Sequence, residues 1–203
     1  TTGGSNTLIG RYAGEGITTQ DHNICIGHGA GSNCVSANNV IMGGNITEQS
    51  GGNQVFIGKI AAGGANSTGG SNVFVGYGAG YSHTSGTSNV SVGGSSMDAI
   101  TTGSDNVALG PAAGQVVTTG SNNIFLGHDS GMSGSPGGAI TTGSNEVCVG
   151  DENVTEAHIQ VDWTIASDAR DKTDVEDLSV GLDFVKQLKP KTYRWDKRSQ
   201  YSE

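Results

Sequence analysis

Large apolar side chains, aromatics, charges and prolines are all scarce in this sequence. Of 203 residues, 33% are hydrophobic, 5% aromatic and 14% charged, and three prolines stand beside 35 glycines. So few prolines exclude collagen, which needs a proline-rich Gly-X-Y repeat. Low charge is unlike a disordered chain, and few large apolar residues are unlike a compact globular core. These absences leave a glycine-rich repeat with a thin core, as in solenoids and fibres.

Positive charge, long apolar runs and paired cysteines are also missing. The net charge of −9 gives no electrostatic reason to bind nucleic acid or an anionic membrane. No apolar run approaches the ~20 residues of a membrane span, so no membrane insertion is expected. Cys25, Cys34 and Cys148 form neither a disulfide framework nor a metal-site spacing, and they favour a reducing compartment.

Composition changes sharply after Gly150. Only Gly181 lies beyond it, whereas Arg11 and Lys59 are the only lysine or arginine residues before it. We therefore predict a repeat over 1–150, a connector strand over 151–166 and the beginning of a second domain over 167–203. The chain starts inside a repeat, so we expect the natural protein to extend further N-terminally, and the lack of a secretory signal before Thr1 therefore carries little meaning.

One unit recurs nine times in the first part: a polar residue, a mostly apolar triplet and a glycine. The closing glycines are spaced 17, 16, 15, 18, 17, 17, 17 and 23 residues apart, which predicts a solenoid. Val, Ile and Phe in the triplets favour extended backbone. The units begin at Asn6, Asn23, Asn39, Gln54, Asn72, Asn89, Asn106, Asn123 and Glu146.

The triplets are apolar on both sides of the predicted strands. First and third side chains of a strand point one way and the middle one points the other, and Thr7 and Ser91 are the polar exceptions. Strands of this kind are buried on both faces, one by their own coil and the other by partner chains. The predicted fold is an all-β solenoid or β-roll assembled as a homotrimeric fibre. Its glycines would permit positive φ or close approach, and its asparagines would form hydrogen-bonded ladders.

Two regions of the repeat are candidates for contact with a host receptor or glycan. The 23-residue step contains Met132 and Pro136 in a glycine- and serine-rich insertion. Tyr77, Tyr81 and His83 form a second cluster. It is a candidate because aromatic side chains on exposed loops often contact sugars.

Other titratable residues of the repeat are expected to be solvated turn residues. This applies to His28, His128 and Asp129, for which neither a ligand role nor catalysis is predicted. Acidic residues are too sparse over 1–150 for a glycosidase pair. We expect no metal and no cofactor.

The repeat unit resembles the head repeats of trimeric autotransporter adhesins, which form a trimeric left-handed β-roll. It also resembles the β-helical shafts of phage tail fibres. The period here is longer than the adhesin unit.

The second part has a different pattern. Val180, Phe184 and Leu188 are spaced as on one face of a short amphipathic helix, with Ser179 as N-cap and Pro190 at its end. A strand is predicted after the proline. This segment is therefore mixed α/β.

Three motifs follow one another in this part: Ser-Asp-x-Arg-x-Lys at 167–172, Gly-Leu-Asp-Phe at 181–184 and Leu-x-Pro-x-x-Tyr at 188–193. In that order they resemble the C-terminal intramolecular chaperone, auto-processing domain of phage tailspikes and tail fibres. Endosialidase tailspikes and membrane-bound myelin regulatory transcription factors carry the same domain. The resemblance covers residues 167–203, the beginning of the domain, and Asp171 departs from the apolar residue common there.

The resemblance implies trimer assembly followed by self-cleavage between Ala166 and Ser167. Ser167 would be the nucleophile and Lys172 the general base, which requires burial to lower the lysine pKa. Asp168 and Arg170 would support the turn. No enzyme with turnover is predicted, and residues 1–203 alone are not expected to cleave efficiently because most of the domain is missing.

The predicted function is that of a structural and adhesive part of a viral tail fibre. Its partners would be two further copies, a host receptor or glycan and other virion tail proteins, and it would be assembled in the host cytoplasm and located in the virion. A bacterial trimeric surface adhesin is one alternative, although such adhesins usually end in a membrane anchor. The shaft of a depolymerase tailspike with its enzyme upstream is another.

Overall fold

The computed structural model describes residues 3–46, 50–64, 66–160, Lys186, Leu188 and Lys189. The chain divides into two units, Thr1–Ala157 and His158–Glu203. Nine parallel strands in the first unit form one sheet in chain order, which confirms the all-β solenoid. The strands are β1 Thr7–Ile9, β2 Ile24–Ile26, β3 Val40–Met42, β4 Val55–Ile57, β5 Val73–Val75, β6 Val90–Val92, β7 Val107–Leu109, β8 Ile124–Leu126 and β9 Val147–Val149.

Every strand pairs with the next without a shift in register. Val73 pairs with Val90, and Val90 with Val107, so equivalent residues of successive units stack in rows. One strand with the chain that leads to the next is called a coil below. Each coil supplies only three strand residues, because the polar residue before the triplet and the glycine after it turn the chain.

The core is one narrow column inside the coils. The middle residue of β2 through β9 is buried, including Phe56 and Phe74, whose rings stack with centroids 5.3 Å apart. Mostly small residues fill a second inward row three positions after the closing glycine, and Ile46 is its one large buried member. The other buried members are Ala30, Ala61, Ala79, Ser96, Ala113 and Ser130.

The closing glycines adopt a backbone conformation that other residues avoid. Gly93 has a φ of 144°, and a Cβ placed there would overlap the carbonyl of Gly110 in the next coil. Both expected uses of glycine, positive φ and close approach, are therefore confirmed. A second left-handed position precedes each polar residue, as at Ser88 and Asp105, both with φ of 59°.

The polar residues before the triplets form the predicted ladder. Asn106 donates its side-chain amide to Asn89 Oδ1 (3.0 Å) and to the Gly120 carbonyl (2.9 Å). Its own Oδ1 accepts the backbone N–H of Asn123 at 3.0 Å. The final rung, Glu146, donates its backbone N–H to Asn123 Oδ1 at 2.9 Å. Buried amides thus satisfy buried backbone groups along the whole sheet.

Most of the strand predicted within the connector of residues 151–166, at 158–165, lies outside the described residues, as does most of the predicted helix. Residues 152–160 are exposed and pair with no strand. No helix within the described part of the chain is long and apolar enough to cross a bilayer.

Candidate functional site

The outward face of the sheet is an exposed apolar surface. It consists of the first and third residues of β1 to β9, and Thr7 is its only polar member. Ile9 is 56% exposed, Leu109 43% and Val147 63%. In the single chain each coil covers the inner face alone, as the alternation predicts, and burial of the outer face by partner chains stays a prediction. Apolar patches of this kind mark interaction sites.

Most of the predicted receptor residues lie at the surface. Tyr77 is 60% exposed and Tyr81 40%, and the Tyr81 ring packs against the backbone of Gly64. In the insertion, Pro136 is exposed and Met132 half-buried. A hydrogen bond from Ile140 N–H to the Gly131 carbonyl (3.0 Å) closes the base of this loop.

The prediction that His83 belongs to the receptor surface is wrong, because its side chain is fully buried. Its Nε2–H donates to the Gly86 carbonyl at 2.7 Å, so Nδ1 accepts the Ser67 hydroxyl at 2.9 Å. Its ring also stands edge-on to Phe74, with centroids 5.1 Å apart. Burial lowers the pKa of His83 below its ordinary value, which keeps the ring neutral.

The sequence contained a signal for this burial. His83 lies seven residues after a closing glycine, and in other coils that position holds the buried apolar residues Ile17, Cys34, Ile100 and Val117. An inward row therefore runs through His83. Sequence reasoning missed it because a histidine beside two tyrosines suggested an exposed cluster.

The three thiols are free and buried. Burial raises the pKa of Cys25 to about 12, and the neighbouring Cys34 adds to the effect. A thiol of this kind stays protonated at neutral pH and is a poor nucleophile. The cysteines of the described residues are core groups, consistent with the lack of a disulfide framework.

One group of titratable side chains joins the turns after β8 and β9. His128 Nδ1 lies 3.4 Å from Asp129 Oδ2 and 3.2 Å from Asp151 Oδ2. Hydrogen bonds from the side chain and backbone of Asn153 hold the pKa of Asp151 below its ordinary value. His128 and Asp129 are thus partnered turn residues, whereas His28 is exposed and stands edge-on to Tyr12.

The residues assigned to self-cleavage lie outside the described part of the chain. These are Ala166, Ser167, Asp168, Arg170 and Lys172. Their roles therefore depend on sequence alone.

Comparison with known families gives one result for this segment. Residues 167–202 match the family model described as the chaperone of endosialidase. The match begins at Ser167 and includes all three motifs, so the resemblance of this segment to that chaperone is confirmed. No curated protein and no solved structure matches the chain.

Proposed function

We propose that this chain is part of the shaft of a viral tail fibre or tailspike, and that its C-terminal segment belongs to a chaperone that assembles it. The carrying observation is the order of the parts: a parallel β-solenoid, followed by a segment that matches the chaperone of endosialidase. The bare apolar face of the sheet supports a role in assembly. Such a fibre would reside in the virion, attach to other tail proteins and be assembled in the host cytoplasm.

The outward sheet face is proposed as the surface on which three copies meet. Side chains such as Val92, which is 38% exposed, would be buried there, and apolar burial drives most protein association. A chaperone segment that brings three chains together raises their effective concentration and sets their register. Both effects matter because contacts between separate chains, like contacts between residues far apart in one sequence, form slowly during folding.

Replacing one face residue by a charge tests this interface. In the full-length gene product, Val92→Glu should abolish the trimer measured by sedimentation, because an unpaired carboxylate would be buried. Val35→Glu is the matched control, since Val35 is 56% exposed and lies off the sheet. A folded wild-type monomer, or a Val92→Glu trimer as stable as the control, would contradict the assignment.

Self-cleavage is proposed between Ala166 and Ser167. A neutral Lys172 amine would take the proton of Ser167 Oγ as that oxygen attacks the carbonyl carbon of Ala166. The bond from that carbon to the Ser167 nitrogen breaks, and the nitrogen receives the proton, which leaves an ester on Oγ. Water then hydrolyses the ester to free the Ala166 carboxylate. Removal of the chaperone would trap the fibre kinetically, because its route of assembly could not run backwards.

The intact mass of the full-length gene product decides this point. We expect a fragment that ends at Ala166 in the wild type and its absence in Ser167→Ala and Lys172→Met. An uncut wild-type trimer would leave an assembly segment without protease activity. An uncut monomer would contradict both the chaperone and the trimer.

Host attachment is proposed for the exposed residues of the two candidate regions: Tyr77, Tyr81, Met132 and Pro136. Tyr77→Ala in the assembled fibre should weaken binding to host cells, because exposed tyrosines provide a large contact area at low entropic cost. Val35→Ala serves as a control away from both regions. Unchanged binding after replacement of all four residues would exclude these loops.

A further inference from the structure

The turns after β8 and β9 bring one imidazole and two carboxylates together. His128 and Asp129 follow Gly127, and Asp151 follows the equivalent Gly150 one coil further on. Metal bonds of about 2.0–2.2 Å hold neighbouring ligand atoms roughly 3.0–3.5 Å apart. His128 Nδ1 already has this separation from both carboxylates, at 3.4 and 3.2 Å, and all three ligand atoms lie within 4.8 Å of one another.

The burial of Asp151 is a second and independent observation. The residue is only 8% exposed, and buried carboxylates are normally paired with a cation or bound to a metal. Arg11 and Lys59, the fixed cations of residues 1–150, belong to the turns after β1 and β4, several coils away. Polar hydrogen bonds from Asn153 and His128 hold this carboxylate, and a bound cation would add a fixed positive charge beside it.

The surroundings of Asp151 also fix its orientation. Asn153 donates its backbone N–H to Asp151 Oδ1 at 2.9 Å and its side-chain amide to Oδ2 at 3.1 Å. Outer hydrogen bonds of this kind hold ligating carboxylates in place in metal sites. Oδ2 also accepts a hydrogen bond from His128 Nδ1–H at 3.2 Å, so it is directed at the group, and metal binding at Nδ1 would release that proton or move it to Nε2.

We propose that His128, Asp129 and Asp151 bind one divalent transition-metal ion. The mixed set of imidazole and carboxylate ligands suits ions such as Zn²⁺. Three protein ligands leave a further position for water. The ion would connect the turn after β8 to the turn after β9 and so fasten β9 to the sheet. This site is independent of the proposed fibre function.

Zn²⁺ titration of the full chain by calorimetry tests the site. We expect one ion per chain and a higher melting temperature with Zn²⁺. Asp151→Asn and His128→Gln should each weaken binding at least about 10-fold and abolish the rise in melting temperature. His28→Gln is the matched control, because His28 occupies the same turn position after β2 but lies against Tyr12; it should bind like the wild type.

Two results would overturn the proposal: a wild type without stoichiometric binding, or binding that both variants retain. Circular dichroism establishes that each variant is folded. If Asp151→Asn does not fold, His128→Gln decides the question alone, since the exposed His128 ring can change without disturbing the core.

Discussion

Two adjacent glycines provide a sharp test of the stacking geometry. Gly93 has a φ of 144°, and an added Cβ would overlap the Gly110 carbonyl, whereas a Cβ at Gly94 would meet nothing within 4 Å. Gly93→Ala and Gly94→Ala therefore make the same chemical change in opposite environments. The backbone strain of a non-glycine residue at such a φ costs about 1–3 kcal/mol.

Relief of the overlap adds to that strain. The next coil must move away, which weakens the hydrogen bond from Gly110 N–H to the Val92 carbonyl (2.9 Å). That bond is worth about 1 kcal/mol, so with about 2 kcal/mol of backbone strain Gly93→Ala should lower the free energy of unfolding by about 3 kcal/mol. Gly94→Ala should change it by less than about 1 kcal/mol, with a gain expected from the stiffer unfolded chain.

Denaturant unfolding followed by far-ultraviolet circular dichroism measures both free energies. The comparison is made at one protein concentration, because association would otherwise contribute to stability. Equal values for the two variants, within about 0.5 kcal/mol, would refute the claim that closing glycines are required by close approach and positive φ.

Three further predictions concern buried polar groups. Asn106→Ala should lower the free energy of denaturant unfolding by about 3 kcal/mol, because it leaves Asn89 Oδ1 and the Asn123 N–H without the hydrogen bonds that Asn106 makes to them. The exposed control Thr102→Ala should change it by under about 0.5 kcal/mol. Ser130→Ala should raise the free energy of unfolding by about 1 kcal/mol, since Ser130 Oγ is buried without a hydrogen-bond partner among the described residues. Ser96→Ala removes a hydrogen-bonded hydroxyl and should lower that free energy. A destabilised Ser130→Ala beside a stabilised Ser96→Ala would contradict this account. Burial lowers the pKa of His83 from 6.5, so below that pH the unfolded chain binds a proton that the folded chain does not. The free energy of unfolding should therefore fall as the pH drops below about 6.5 towards the folded-state pKa. His83→Gln should lessen this fall, and identical pH profiles for the variant and the wild type would contradict the prediction.

The strands and the ladder could be predicted because one local unit specifies both. A polar residue, a triplet such as Val107–Leu109 and a glycine place a strand, a turn and a stacking amide within five residues. Repetition then fixes the register, since a slip by one residue would exchange the inner and outer faces. The open outer face followed from the same alternation, because single coils can cover only one side.

The core position of His83 could not be recognised from residue type. Its row becomes visible only when coils of equal length are aligned on their closing glycines, and steps of 15, 18 and 23 residues interrupt that alignment. Asp151 was missed for a related reason. It follows the last repeated glycine, where the change in composition suggested a surface connector, yet it packs against the preceding coil.

In-register stacking also limits how such a chain can change in length. Equivalent strand residues of successive coils pair with one another. The solenoid can therefore grow or shrink by one entire coil, about 4.8 Å, while each strand residue still pairs with its equivalent in the next coil. Steps of 15 to 23 residues between closing glycines leave the strand rows in register, so smaller changes in length are taken up by the segments between strands. Gene duplication or deletion of one entire coil is therefore the change that alters the length of the column, whereas changes within a coil alter only its loops.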